Sequence, residues 1–215
     1  MSISVGGLTV ALEGNANLVD TRFDQPSVNP LDMFRHWLAE ANRVGVREAH
    51  SFSVGSINAE NRPTSRVVLL KQCDEFGFVF GTSGMSQKGR HFELNPWASG
   101  NFWWHETIQQ ILFTGRVIQL DSTISDKLFY ERQRYAQAIT TVSHQSELLT
   151  DEFALRNQIA QLVASQDSIK RPPYWHGYRI VPDFIEFWQG SPDRFHRRLR
   201  YDRDGDGWAY NWLQP

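Results

Sequence analysis

At 215 residues the chain exceeds the usual domain length by less than half, so one domain with a substantial core is expected. Its 40% hydrophobic, 13% aromatic and 21% charged residues exclude a disordered or low-complexity chain, and the near balance of 22 Lys+Arg against 24 Asp+Glu excludes a bulk positive field drawing it to nucleic acid or anionic lipid. A single cysteine, Cys73, excludes intrachain disulfides and multi-thiolate metal sites and suits a cytoplasmic setting, while no apolar run approaches the ~18 residues of a membrane span.

Residues 1–28 carry Gly, Asn, Ser and Val without a period and read as a flexible N-terminal arm; Glu13 and the lack of a basic residue before Arg22 argue against a secretory signal. A single domain is expected over 29–215. Asn29 can cap a helix with Pro30 at its first position, and Leu31, Phe34, Leu38 and Ala41 form its apolar stripe up to Gly45. Strands are expected at 51–57, 65–72 and 78–82, with turns at 58–63 and 74–77. A loop with Gly84, Ser86 and Gly89 leads to a short helix ended by Asn95-Pro96, and strands follow at 99–105 and 110–120. Helices near 122–134 and 150–165 precede strands at 178–181, 185–189, 195–203 and 208–213, the last two joined through an Asp-Gly turn. With no βαβ rhythm, the pattern is α+β: an antiparallel barrel with peripheral helices.

The run from Asp202 to Gly207 imitates the start of a calcium loop, but Leu213 stands where the bidentate Glu is required, so a hairpin turn is expected. The seven histidines show no HExxH spacing, and GxSxG, GxxxxGK[ST] and GxGxxG are all missing, which weakens zinc, hydrolase, nucleotide triphosphatase and Rossmann readings. No metal is expected. The string from Thr82 to Gly89 brings hydroxyls, a cation and free N–H groups to a strand end opening into a helix, which is phosphate-binding chemistry, although a solvated loop has the same composition. Arg66 and Lys71, five residues apart on one expected strand, would face opposite sides of the sheet.

The motifs Arg66-Val67-Val68-Leu69-Leu70-Lys71, Ser86-Gln87-Lys88, Gln110, Ser143-His144-Gln145-Ser146, Ile185 to Gly190 and Arg194 to Arg198 occur in an order that resembles the pyridoxamine 5′-phosphate oxidase-like flavoproteins. Within that family, Asn95 to Gly100 and the ending from Leu199 to Pro215 look most like its phenazine-biosynthesis branch. The resemblance implies an FMN-binding split β-barrel assembled as a homodimer. It implies that Arg66, Thr82, Gln87, Lys88, Gln145 and Ser146 hold the FMN phosphate and ribityl chain, that Gln110, Trp188 and Arg198 border the flavin ring, and that Val67, Lys71 and Ser86 also belong to the cofactor site. Lys71, Arg132, Arg194 and His196 would meet the substrate, the last two by alternating on one strand.

In the vitamin-making members a Lys, a Tyr, an Arg and a Ser hold the substrate phosphate; the corresponding positions here carry Lys71, Leu128, Arg132 and Ala136. Two donors are missing, which weakens pyridoxine phosphate as a substrate; the resemblance to the phenazine-biosynthesis branch implies a reduced tricyclic phenazine carboxylate as substrate and dioxygen as electron acceptor, with hydrogen peroxide released. Two other readings stay open: a pyridoxine/pyridoxamine 5′-phosphate oxidase, and a flavin- or haem-binding split-barrel protein without turnover.

Overall fold

In the computed structural model, residues 14–215 are described. Their elements are α1 (Pro30–Arg43), β1 (Ser51–Ile57), β2 (Pro63–Leu69), β3 (Gln72–Cys73), β4 (Phe78–Ser83), α2 (Gln87–Leu94), β5 (Trp97–Trp104), β6 (Gln109–Gln119), α3 (Ser122–Tyr130), α4 (Arg134–Val142), α5 (Glu152–Ala164), β7 (Trp175–Gln189), β8 (Arg197–Asp204) and β9 (Gly207–Leu213). The strands hydrogen-bond in the order β2-β1-β5-β6-β7-β4-β3, with β8 on β7 and β9 on β8. The pairs β1–β2, β3–β4, β4–β7, β7–β8 and β8–β9 are antiparallel, as the α+β reading requires. The chain divides into two compact units, the first holding 14–50, 101–113 and 184–215 of the described residues, the second 51–100 and 114–183.

The first unit is organised by α1. The Asn29 side chain accepts from the Leu31 N–H at 2.9 Å, Pro30 occupies the first turn, and Leu31, Met33, Phe34, Trp37 and Ala41 are buried. Trp37 packs edge-on to Phe23 and Phe187, and Phe34 packs on Phe102. The expected arm lies outside the described residues as far as 13. From Gly14 onward it is tied to the unit: Phe23 is buried, the Thr21 carbonyl accepts from Trp37 Nε1 at 2.8 Å, and the Ser27 carbonyl accepts from the Tyr201 hydroxyl at 2.8 Å. Contacts therefore begin well before Asn29, because Phe23 supplies an apolar anchor that a composition average hides.

The second unit buries Phe52, Phe78 and Phe80 among its strands and sets Leu128, Phe129, Ala138, Ile159 and Trp175 into a second apolar cluster under its helices. Three local expectations change here. The segment expected as one helix near 122–134 is α3 followed by α4. Lys71 lies in the break between β2 and β3, not on a strand with Arg66, and its N–H donates to the Val79 carbonyl at 2.7 Å. The strands expected at 178–181 and 185–189 are one strand, β7, which runs through Pro182. Gly115 lets the chain pass there, since a Cβ at that position would lie 2.0 Å from the Val181 carbonyl oxygen. The Asp204–Gly207 segment is the hairpin turn between β8 and β9.

Candidate functional site

The phosphate-binding candidates gather in the second unit. Ser86 caps α2: its wholly buried hydroxyl accepts from the Gly89 N–H at 3.3 Å and from Lys88 Nζ at 3.4 Å, and donates to the Ser83 carbonyl at 2.7 Å. Lys88 is 6% exposed, and burial first, then the Arg66 guanidinium, pull its ammonium down to about 8. Thr82 is buried at the end of β4. Arg66, half-buried on β2, donates to Ser56 Oγ at 2.7 Å, Thr64 Oγ1 at 2.6 Å and Gln87 Oε1 at 3.5 Å. Across the ring of donors, the Gln87 N–H reaches the Ser146 hydroxyl at 3.1 Å, which ties the 143–146 segment to the N-terminus of α2.

None of the hydrogen bonds and ion pairs of Arg66 and Lys88 just described involves a carboxylate. Two desolvated cations that repel one another, rimmed by hydroxyls and a helix N-terminus, form an electrostatically incomplete arrangement that an anion would complete. Its donor set fits a phosphate dianion. Gln145 lies exposed beside Ser146, Val67 is 66% exposed on the neighbouring face of β2, and Lys71 is exposed.

Sequence reasoning missed three members of this cluster. Thr64 lies two residues before Arg66 and shares its face, a signal that alternation could have supplied. Ser56 and His91 are 35 residues apart, with Ser56 Oγ 3.0 Å from His91 Nδ1, and nothing local announces that pairing. Burial foremost, and then Arg66, lower the His91 pKa.

The ring-side candidates lie in the first unit. Trp188 packs against Trp103 and His196, with ring centroids 6.1 and 4.7 Å away. Gln110 Nε2 donates to Asn101 Oδ1 at 2.8 Å. Arg198 donates through Nε to Glu186 at 2.7 Å, a carboxylate bond that raises its pKa further, and through Nη1 to the Gln214 carbonyl at 3.1 Å.

Arg194 and His196 depart from expectation, since both precede β8 in an irregular segment and do not alternate on a strand. Arg194 adopts a positive φ of 66°, with its N–H donating to the Ser191 carbonyl at 3.0 Å. His196 Nδ1 accepts from the Ser191 N–H at 3.1 Å, so the neutral ring carries its proton on Nε2 and offers a donor there.

In the second unit, Arg132 is already engaged: it bonds Thr140 Oγ1 at 2.7 Å and stacks over Trp175, 5.2 Å from the ring centroid. Leu128, expected where a Tyr hydroxyl would meet a substrate phosphate, is 5% exposed inside the apolar cluster.

Residues 38–165 match the family described as pyridoxamine 5′-phosphate oxidase, and residues 175–215 match the pyridoxine 5′-phosphate oxidase C-terminal dimerisation region. A dihydrophenazinedicarboxylate synthase of Burkholderia lata is 38% identical over 205 residues, 95% of this chain and 97% of the relative. A pyridoxine/pyridoxamine 5′-phosphate oxidase of Neisseria gonorrhoeae is 39% identical over 188 residues, 87% of this chain and 90% of the relative. The crystal structure of PhzG from Burkholderia lata in complex with tetrahydrophenazine-1-carboxylic acid superposes with a TM-score of 0.90 at 39% identity, covering 94% of this chain and all of that one. A pyridoxamine 5′-phosphate oxidase-related, FMN-binding protein from Nostoc punctiforme shares the fold, with a TM-score of 0.72 at 16% identity over 88% of this chain and 99% of that one. The split-barrel fold class read from the sequence is thereby borne out.

Proposed function

Because the chain belongs to the pyridoxamine 5′-phosphate oxidase family, we propose that it is an FMN-dependent oxidase that aromatises a reduced tricyclic phenazine carboxylate, with dioxygen as electron acceptor and hydrogen peroxide as by-product. It works as a cytoplasmic homodimer, with residues 29–215 as its FMN-binding domain. The observation that carries the cofactor is the Arg66–Lys88 pair, desolvated and without a carboxylate among its bonds. Arg66, Thr82, Ser86, Gln87 and Lys88, with Gln145 and Ser146, hold the phosphate and ribityl chain, and Val67 and Lys71 flank them. Gln110, Trp188 and Arg198 border the ring. When bound, the flavin supplies two-electron acceptance and reoxidation by dioxygen.

The protein's own task is binding and orientation. A phenazine precursor is flat and anionic, so a Trp188 face, a cation and one directed donor suffice to hold it. Arg194 or Lys71 pairs the carboxylate, and His196 donates from Nε2 to the acceptor it meets. Arg132 contributes less, its guanidinium being spent on Thr140 and the Trp175 face. The names of the relatives from Burkholderia lata support the phenazine class.

The vitamin-oxidase reading is favoured by the equally similar relative from Neisseria gonorrhoeae, but no Tyr hydroxyl can come from position 128. Oxygen uptake decides between them. kcat/KM for pyridoxine 5′-phosphate is expected to be lower than for the reduced phenazine carboxylate by at least about 10³, the scale of ~4 kcal/mol in the transition state. Comparable turnover of both substrates overturns the phenazine assignment, and a colourless protein that takes up no FMN overturns the cofactor.

A further inference from the structure

We infer that Gln189 is a positioning residue: its buried side-chain amide clamps the turn that ends at β6 and thereby fixes where Gln110 presents its amide. The inference rests on the flavin reading above, in which Gln110 borders the ring. Gln189 Nε2 donates to the Thr107 carbonyl at 2.9 Å, to the Ile108 carbonyl at 3.2 Å and to its neighbour's Gly190 carbonyl at 3.4 Å. The Gly190 N–H adds a bond to the same Ile108 carbonyl at 2.9 Å. A short stretch of β7's end thus holds two successive carbonyls just before β6 begins at Gln109.

The held turn is one that local preference would not choose. Ile108 has φ +53°, and a β-branched residue in that region persists only where its surroundings dictate it. Gly190 is the matching half of the device: a Cβ there would lie 2.2 Å from Ile108 Cγ2, so only glycine lets the backbone approach.

Alternation carries the constraint to the site. Along β6, Gln109 is buried and Gln110 is turned to the less buried face; along β7, Gln189 is buried and Trp188 is turned out. Gln109 and Gln189 are therefore on the buried sides of their strands, and Gln110 and Trp188 on the less buried sides. Gln110 Nε2 also donates to Asn101 Oδ1 at 2.8 Å, so its amide is positioned by that contact together with the backbone that the turn places. The oxygens Gln189 Oε1, Gln109 Oε1 and Thr107 Oγ1 are all buried without a partner among the described residues, so the clamp acts through its N–H groups alone.

Riboflavin binding, which leaves the phosphate cluster out, tests this in the full-length protein. Gln110→Leu and Gln189→Met are each expected to weaken riboflavin by about tenfold, and the double variant no further, because both substitutions remove one contact. The visible spectrum of bound FMN is expected to shift alike in both single variants, a readout that a general loss of stability would not produce. Multiplying effects, or wild-type riboflavin affinity and spectrum in Gln189→Met, overturn the inference while leaving the flavin reading intact; failure of the wild-type chain to bind either flavin overturns both. Should Gln189→Met not fold, Gln189→Asn, which keeps an amide but shortens its reach, is measured in the same cycle and judged by the same outcomes.

Discussion

The backbone N–H of Gln87 donates to the hydroxyl of Ser146, 3.1 Å away and 59 residues on in the chain. One of the orphan donors of the α2 N-terminus is thus satisfied by a side chain whose own residue has φ +81°. Ser146→Ala is expected to weaken FMN by about 0.5–1.5 kcal/mol, roughly 2- to 13-fold, by loosening this edge of the phosphate cluster. Fluorescence titration checks it. Ser146→Gly also removes the hydroxyl but relieves the left-handed backbone, so its thermal stability should exceed that of Ser146→Ala.

Arg66→Ala removes a charged phosphate contact and leaves Ser56 and Thr64 without their donor. FMN is expected to bind about 10 to 150-fold more weakly, or ~1.5–3 kcal/mol, and riboflavin almost unchanged. An equal fall for riboflavin would show that Arg66 supports the fold and not the phosphate.

Lys88 gives a pH dependence of defined sign. Its pKa lies near 8 in the folded chain against 10.5 ordinarily, so between those values the unfolded chain holds more protons. Stability of the flavin-free protein should therefore rise with pH from about 8 to 10.5 relative to Lys88→Met, by up to ~3 kcal/mol before relaxation is allowed for. Bound phosphate pulls the pKa back up, so FMN binding takes up a proton above pH 8 and its affinity falls as pH climbs, while riboflavin affinity does not. Calorimetry at two pH values reads this directly.

Leu128→Tyr would restore a lost hydroxyl donor only if position 128 faced open space. The residue lies in the apolar cluster, where a Cβ on Gly177 would come within 2.7 Å of its Cδ1. The larger side chain should cost about 1–3 kcal/mol through overpacking and leave substrate preference unaltered. A melting temperature equal to wild type, with new activity on pyridoxine 5′-phosphate, would refute this packing account.

Sedimentation is expected to report about twice 24.9 kDa. The segment 175–215 matches a dimerisation region, and it exposes Phe195, Tyr210 and Trp212, apolar surface that a second copy could cover. A stable FMN-loaded monomer at micromolar concentration would remove the dimer from the proposal.

Several parts of this protein were determined by sequence alone. Asn29-Pro30 sets the start of α1, the Asp204-Gly205 turn sets the β8–β9 hairpin, and the ordered motifs point to the family, because caps, turns and phosphate loops are made by residues adjacent in the chain. Thr82, Ser86 and Lys88 were legible as a cluster for the same reason. Tertiary structure decided the rest: that β7 runs unbroken through Pro182 beside Gly115, that Lys71 leaves the strand, that Leu128 turns inward, and that His91 and Ser56 stand behind Arg66. These outcomes depend on which backbone approaches which side chain across tens of residues, and periodicity along one strand or helix carries no record of that approach. The clamp from Gln189 to Ile108 is the plainest case, since neither residue has a local reason to be where it is and each is held by the other.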